Sequence, residues 1–478
     1  MNTLPSQETL ARLDEILATP AGRRVGVLGL GVVGQAMALR LRRLGAEVVG
    51  ADLRAALADE AGGRALASAG VELRLGAMDA ATLADVEAVA IGPGVHPDQP
   101  AVIAMRRRGV PIFGELELCG VLPAPVVAIT GTNGKSTTTA LLGALVRGCG
   151  VRAFVGGNLG DPVVSWLESG ESADVAVLEL SSFQLETAYR FAPDVAVVLN
   201  VTPDHIDRYA DFAAYARTKE LLVRQTRPAG VVVLNHDDPV ARAMADSAAA
   251  PVWWFSTREA SLPGDGALLA GDAVRAFGAA AALDGFALDH PRLLGRHNRE
   301  NALAALLAEQ ALAALGIAGS QPTALARAYA GFAGLPHRLE WVAELQGVAF
   351  INDSKATNDQ SAATAVRAIE RPQILLLGGR DKGAGYGDVV AAAPGRVRRV
   401  IAFGEAREVI RAAVSESLQT SLATDLDAAL EQAVALARPG DAILLSPACS
   451  SFDAFRHYAA RGDHFKAWVR ARAGAEAS

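Results

Sequence analysis

Residues 128–142 read AITGTNGKSTTTALL, an apolar run, a glycine-bearing turn and then a stretch rich in helix formers. The residue types in the turn are those that handle phosphate. Gly131 and Gly134 let backbone amides face phosphate oxygens, Lys135 neutralises charge on the outer phosphates, and the Ser136 hydroxyl suits magnesium. Thr132, Asn133 and Thr137 complete the segment. Ile129 occupies the place of the first glycine in the GxxxxGK[ST] pattern, so the loop is a shortened form of that motif. A glycine turn with a solvated lysine is the plainer alternative; a strand before it and a helix after it favour nucleotide phosphate.

A second glycine turn lies upstream. The run from Arg23, RRVGVLGLGVVGQAMALRLRRLGAEVVGADLR, sets Gly29, Gly31 and Gly34 between a strand and a helix, with Asp52 at the end of the next strand. That is a GxGxxG turn followed by an acid about 20 residues on, the signature of a dinucleotide site. Beside an independent nucleotide loop it is ambiguous: the turn serves any nucleotide-like diphosphate equally well, or only tight packing of helix on strand.

Other polar residues fall where strands are expected to end. Glu179, in VLELSSFQLE, closes a buried-looking strand, where a carboxylate is costly unless it meets a cation, and suits magnesium. LNVTPDHIDRY offers Asp204, His205 and Asp207 on the turn after another strand, although an isolated histidine is more often structural. Further along, INDSKATNDQS carries Asp353, Lys355, Thr357 and Asn358, LLLGGRDKG carries Lys382, and LLSPACSSFDAF carries Ser450 and Ser451, expected to open a helix. Capping and turn chemistry explains each alone; several such turns at one sheet edge suggest a shared site.

The chain that positions these residues has 478 of them, 51% hydrophobic and 20% charged, enough for several α/β domains. Residues 6–18 have the leucine spacing of an amphipathic helix, with Leu10, Leu13 and Leu17 on one face. Strands near 88–91 and 110–113 extend the first βαβ unit. Pro123 and Pro125 then precede a second run with strands at 126–130, 175–179, 195–200 and 231–235 and a helix near 212–225. After LPHR at 335–338 come strands at 348–352, 374–377, 400–403 and 442–446. A net charge of −7, with Arg106, Arg107 and Arg108 the sole dense basic cluster, argues against a general nucleic-acid binder; that cluster suits a helix carboxyl end. Three scattered cysteines, an N-terminus bearing Glu8, Asp14 and Glu15, and the lack of a long apolar run lead to the expectation of a cytoplasmic protein without membrane insertion.

The segments TGTNGKST, GGNLG, LELSSFQLE, NVTPDHIDRY, GRHNRENALAA, GLPHR, NDSKATN, LLLGG and LLSPACSSFD occur in this order, and with them the chain resembles the ATP-dependent Mur ligases that build the peptide stem of bacterial peptidoglycan. The resemblance implies an α/β fold of three domains. These are an N-terminal Rossmann-like domain for a uridine-nucleotide substrate (1–114), a central ATPase-type parallel sheet with the phosphate loop (115–334), and a C-terminal Rossmann-like domain that binds glutamate and closes (335–478). It implies ATP and Mg2+, and addition of D-glutamate to UDP-N-acetylmuramoyl-L-alanine through an acyl phosphate, by a monomer with no nucleic-acid partner. Addition of L-glutamate, a sister ligase and a folylpolyglutamate synthase are the alternatives within enzymes of this kind. A nicotinamide-dependent dehydrogenase or a nucleotide switch is the alternative of a different class, and each leaves one set of motifs unexplained.

Residue by residue, the resemblance assigns the ATP phosphates to Gly131, Thr132, Asn133, Gly134, Lys135, Ser136 and Thr137, and magnesium to Ser136, Glu179 and His205. Asn158 and His205 meet the reacting end. Lys219, in YARTKELL, matches a lysine that is carbamylated in these ligases; without the resemblance it reads as an ordinary helix-surface residue. Asn298, Asn301, Arg338 and Asp353 match further nucleotide contacts. Thr357, Lys382, Ser451 and Phe452 match the glutamate pocket, and Val32, Val33, Asp52, Arg54 and Gly94 the uridine site. Leu53 stands where some relatives carry a hydroxyl, and Tyr458 where a pocket aromatic is expected.

Overall fold

The fold is that of a computed structural model, which describes residues 5–205, 208–319, 321–383 and 385–476. Asp207 therefore lies outside the described residues. Three separate sheets account for the strands. The first holds β1 (Arg24–Leu28), β2 (Glu47–Asp52), β3 (Glu72–Leu75), β4 (Ala88–Ile91) and β5 (Ile112–Phe113), all parallel, in the order β3-β2-β1-β4-β5. Chain direction across this sheet reverses between β1 and β4, which opens a crevice beyond their carboxyl ends.

The second sheet holds β6 (Val126–Thr130), β7 (Ala153–Gly157), β8 (Val175–Glu179), β9 (Val195–Val198), β10 (Val231–Asn235), β11 (Val252–Ser256), β12 (Gly266–Ala270) and β13 (Ala273–Phe277). Their order is β13-β12-β11-β10-β9-β6-β8-β7, parallel except for the terminal hairpin β12-β13. Every residue of β6, β8, β9 and β10 is buried, because helices cover both faces of a parallel sheet and its strands read as unbroken apolar runs. The third sheet holds β14 (Glu340–Leu345), β15 (Val348–Asn352), β16 (Gln373–Gly378), β17 (Val397–Phe403), β18 (Thr420–Leu422) and β19 (Ala442–Leu445), in the order β14-β15-β19-β16-β17-β18, with β14 antiparallel to β15.

Helices fall where their caps direct them. Ser6 accepts from the Thr9 amide and starts Gln7–Ala18, which buries Leu13 and Ile16; Asp211 accepts from the Ala214 amide and starts Phe212–Gln225. Arg106, Arg107 and the capping Arg108 close helix Pro100–Arg107, as the helix-dipole reading anticipates. Among the described residues no helix is long and apolar enough to cross a membrane, and the three cysteines are free thiols.

Backbone contacts group the chain into two compact units, Met1–Leu288 with Glu300–Tyr329, and Asp289–Arg299 with Ala330–Ser478. The first unit contains both the first and second sheets. One apolar cluster explains this: it runs from Leu13, Val25 and Leu41 through Phe113 and Leu116 to Val126, Trp166 and Val198. Polar ties flank it, with Arg40 donating to Glu168 at 2.6 Å and Arg190 to both Asp14 at 2.8 Å and Glu117 at 3.1 Å.

Leu178, fully buried on β8, and Val121, 89% exposed, give contrasting substitutions. Leu178→Ala should cost about 2–5 kcal/mol through lost burial and a residual cavity. Val121→Ala should stay within about 0.5 kcal/mol. Calorimetric unfolding of the two variants checks this, and equal shifts of the transition would contradict the packing described.

Candidate active site

The phosphate loop joins β6 to helix Lys135–Gly148, and β6 lies between β8 and β9, so the loop sits at the point where successive strands pass to opposite sides. Gly134 caps the helix in the left-handed region, φ +87°, and a Cβ there would collide with the side-chain oxygen of Asn301. That approach brings Asn301, from helix Arg296–Ala314, directly against the loop. The loop is laced to the segment after β9. The amides of Thr132 and Asn133 donate to the Asn200 backbone and side-chain oxygens, each at 2.8 Å, and Thr132 Oγ1 donates to the Thr202 carbonyl at 3.1 Å. The Thr132 hydroxyl has one proton, so at 3.1 Å it accepts from the Tyr215 hydroxyl.

Two lysines converge on one oxygen. Lys135 Nζ donates to the Gly131 carbonyl at 2.9 Å and to that of Thr132 at 2.9 Å, while Lys219 Nζ donates to the same Gly131 carbonyl at 2.8 Å. Lys219 is 1% exposed on helix Phe212–Gln225, one turn beyond Tyr215, whose ring it faces at 4.7 Å. Burial, and then the neighbouring Lys135 charge, hold the Lys219 amine well below the usual lysine range. The surface reading of Lys219 is thus corrected, because the face shared with Tyr215 turns inward.

Glu179 ends β8 beside Ile129 of β6 and is 2% exposed. Asn158 Nδ2 donates to its Oε1 at 2.6 Å, and the Asn158 amide donates to its carbonyl at 2.9 Å. Glu179 Oε2 is buried and has no hydrogen-bond partner among the described residues. An orphaned buried carboxylate oxygen next to a phosphate loop fits a hard divalent cation, as does the hydroxyl of Ser136, which is 6% exposed at the first turn of its helix. His205 follows in a loop with φ +53°, its ring 4.7 Å from Phe183 and 6.2 Å from Tyr215. Asp204 accepts from the His205 amide at 2.9 Å.

Sequence patterns missed the residues that hold this assembly. Tyr215 and Asn200 are two. Arg208 is a third: it donates to both carboxylate oxygens of Glu186, at 2.9 and 2.7 Å, and to the Val95 carbonyl at 3.0 Å, with both side chains of the pair 6% exposed. It thereby ties the His205 loop to the segment after β4 that carries Gly94. For Tyr215 the helical spacing to Lys219 was an available signal; for Arg208 and Asn200 there was none, since their partners are remote in sequence.

On the first sheet, Asp52 accepts from the amides of Leu30 at 2.7 Å and Arg54 at 2.9 Å and from Arg54 Nε at 3.2 Å. Burial alone would raise its pKa, but those donors outweigh it and hold the carboxyl below its ordinary value. Arg54 Nη2 closes the ring on the Leu30 carbonyl at 3.0 Å. Val32 and Leu53 stand exposed, at 73% and 55%, and among the described residues no atom beyond the two chain neighbours of Gly94 lies within 4 Å of where a Cβ on it would be. Gly34 does the packing work: a Cβ there would strike the Gly29 carbonyl.

The second unit gathers its own cluster. Asp353 accepts from the Leu339 amide at 3.1 Å and the Ser446 hydroxyl at 2.7 Å, and burial pushes its pKa up to about 7 against the pull of Arg338. Lys382 Nζ lies 3.4 Å from Thr357 Oγ1, and Ser451 is buried while Phe452 is 63% exposed. Tyr458 lies beneath Lys355, ring centroid to Nζ 5.4 Å. Asn298 Nδ2 donates to the Leu294 carbonyl at 2.8 Å within this unit. The expectation that Ser450 and Ser451 open a helix is corrected: the helix starts at Tyr458, and Ser450 instead pairs with Arg380 in an isolated antiparallel bridge, its amide donating to the Arg380 carbonyl at 3.1 Å.

Comparison with known proteins identifies the family. Residues 23–114 match the model of the Mur ligase MurD-like N-terminal domain, 129–309 that of the Mur ligase middle domain, and 337–449 that of the Mur ligase glutamate ligase domain. The chain is 40% identical over 461 residues to the UDP-N-acetylmuramoylalanine--D-glutamate ligase of Acidobacterium capsulatum, covering 95% of this chain and 98% of that protein. A protein of the same name from Anaeromyxobacter dehalogenans is 43% identical over 461 residues, covering 93% and 97%. Among solved structures, the UDP-N-acetylmuramate-alanine ligase MurC of Thermotoga maritima shares the fold with a TM-score of 0.57 at 18% identity, covering 94% and 99% of the two chains. With matched segments over most of its length and relatives of about 40% identity along nearly their whole chains, the protein belongs to the Mur ligase family.

Proposed function

We propose that the protein joins D-glutamate to UDP-N-acetylmuramoyl-L-alanine at the expense of ATP, in the cytoplasm, as a step in peptidoglycan precursor synthesis. The observation that carries the proposal is the buried Lys219 amine against the phosphate loop, in a chain that aligns almost end to end with proteins named for this reaction. In this reading residues 1–114 take the uridine nucleotide, 115–334 take ATP and 335–478 take glutamate. Support comes from the Asp52–Arg54 ring on the first sheet, the phosphate loop on the second, and the Lys382–Thr357 pair on the third.

The chemistry follows from the poor electrophilicity of a carboxylate. The alanyl carboxylate attacks the γ-phosphorus of ATP and ADP leaves, giving an acyl phosphate. The glutamate amine attacks its carbonyl carbon, and the tetrahedral adduct loses a proton and expels inorganic phosphate to form the amide. Lys135 neutralises charge on the transferring phosphate, Thr132, Asn133 and Thr137 shape the loop around it, and Asn158 orients the Glu179 carboxylate. Asn298, Asn301, Arg338 and Asp353 complete the nucleotide contacts; Thr357, Lys382, Ser451 and Phe452 receive the glutamate; Val32, Val33, Asp52, Arg54 and Gly94 receive the uridine part. In its uncharged form the Lys219 amine adds to carbon dioxide and releases a proton, leaving an N-carboxylate. Ser136, Glu179, His205 and that carboxylate would hold magnesium, which would supply further charge neutralisation.

Purified protein with ATP, Mg2+ and UDP-N-acetylmuramoyl-L-alanine should release phosphate on addition of D-glutamate; release with L-glutamate instead would reverse the stereochemical assignment. Lys135→Ala should lower kcat by at least about 100-fold while binding of the uridine substrate, followed by calorimetry, stays near normal. Lys219→Ala should be inactive and regain turnover with a millimolar short-chain carboxylate. Full activity of that variant without rescue would remove Lys219 from the mechanism.

A further inference from the structure

Arg461, in helix Tyr458–Glu476, is completely buried, and among the described residues no carboxylate lies within ion-pair distance of it. Its five N–H groups are all taken by the chain itself. Nε donates to Ser354 Oγ at 3.0 Å and Nη2 to the Ser354 carbonyl at 3.0 Å; Nη1 donates to the Gly378 carbonyl at 3.1 Å and the Ser450 carbonyl at 3.3 Å; Nη2 also donates to the Cys449 carbonyl at 3.1 Å. A buried guanidinium satisfied only by neutral oxygens is costly, and burial draws its pKa down to about 10.

The acceptors are not a random set. Ser354 follows β15, Gly378 ends β16, and Cys449 and Ser450 follow β19, and these three strands are neighbours in the order β15-β19-β16. Each acceptor introduces one residue of the glutamate set: Thr357 lies just past Ser354, Lys382 just past Gly378, and Ser451 follows Ser450. The helix is secured to the same point from its other side, since Ser354 Oγ donates to the Tyr458 carbonyl at 2.8 Å.

We propose that Arg461 is a positioning residue of the glutamate pocket: its planar fork fixes the three strand-end loops in one register, and that register sets the affinity for glutamate. The proposal rests on the ligase reading above. A lysine at this position keeps the charge but offers three donors on a single point, which cannot span three loops.

The test uses the full-length enzyme with Arg461→Lys and Arg461→Met, measuring KM for each substrate and thermal unfolding. Both variants should raise KM for D-glutamate by about tenfold, with KM for ATP and for the uridine substrate within about twofold of wild type. A purely structural role would lower the active fraction and leave KM for D-glutamate unchanged, which would overturn the proposal. A normal KM in Arg461→Lys beside a raised one in Arg461→Met would assign the effect to charge and overturn it too. Failure of both variants to fold would make Arg461 a determinant of the whole unit and would likewise end the positioning role. Wild-type enzyme that released no phosphate with D-glutamate would instead refute the ligase reading on which the proposal stands.

Discussion

The carbonyl oxygen of Gly131 is the point on which the active site turns. It accepts from Lys135 and from Lys219, two amines that repel each other as cations. Desolvation and then the neighbouring Lys135 charge both lower the pKa of the buried one, Lys219. A lysine with a lowered pKa thereby lies against the glycine loop. Everything around it serves to keep the carbonyl in place: the Asn200 and Thr202 bonds to the loop, the Tyr215 hydroxyl on Thr132, and the adjacency of β6 to β8 that brings Glu179 and Asn158 alongside.

Buried cations recur in the fold, and each is accommodated differently. Lys219 is pushed toward losing its proton. Arg208 cannot lose one, and is met by the Glu186 carboxylate, a fully desolvated pair whose value lies in fixing the His205 loop against the Gly94 segment. Among the described residues Arg461 has no carboxylate within ion-pair distance, only the longer-range attraction of Asp453, and is solvated by backbone carbonyls and one hydroxyl. In each case the cation joins segments distant in the chain, which converts a local electrostatic cost into a constraint on where loops lie.

The three sheets share one geometric solution. Parallel strands end together, and where successive strands pass to opposite sides a crevice opens beyond their carboxyl ends. Asp52 lies at such an end in the first sheet, Glu179 and the phosphate loop in the second, Asp353 and the Arg461 acceptors in the third. Antiparallel strands appear only at the margins of the second and third sheets, as β13 and β14. These marginal strands escaped the reading of the sequence because they are partly exposed and carry mixed residues: EWVAEL alternates too weakly to announce β14.

Much was legible before any coordinates. Apolar runs located the central strands because burial on both faces leaves little freedom of composition, and a helix near 212–225 was expected, which the structure starts at the Asp211 cap. The phosphate loop was legible because its chemistry demands particular residues at adjacent positions. By itself the sequence thus determined the strand cores, the nucleotide loop and, through an ordered series of motifs, the family. The depth of Lys219, the meeting of two lysines on one carbonyl, the orphaned oxygen of Glu179 and the five-bond clamp of Arg461 were decided only by tertiary structure. The reason is physical: burial and charge coupling are properties of groups brought together in space, and these partners lie far apart along the chain.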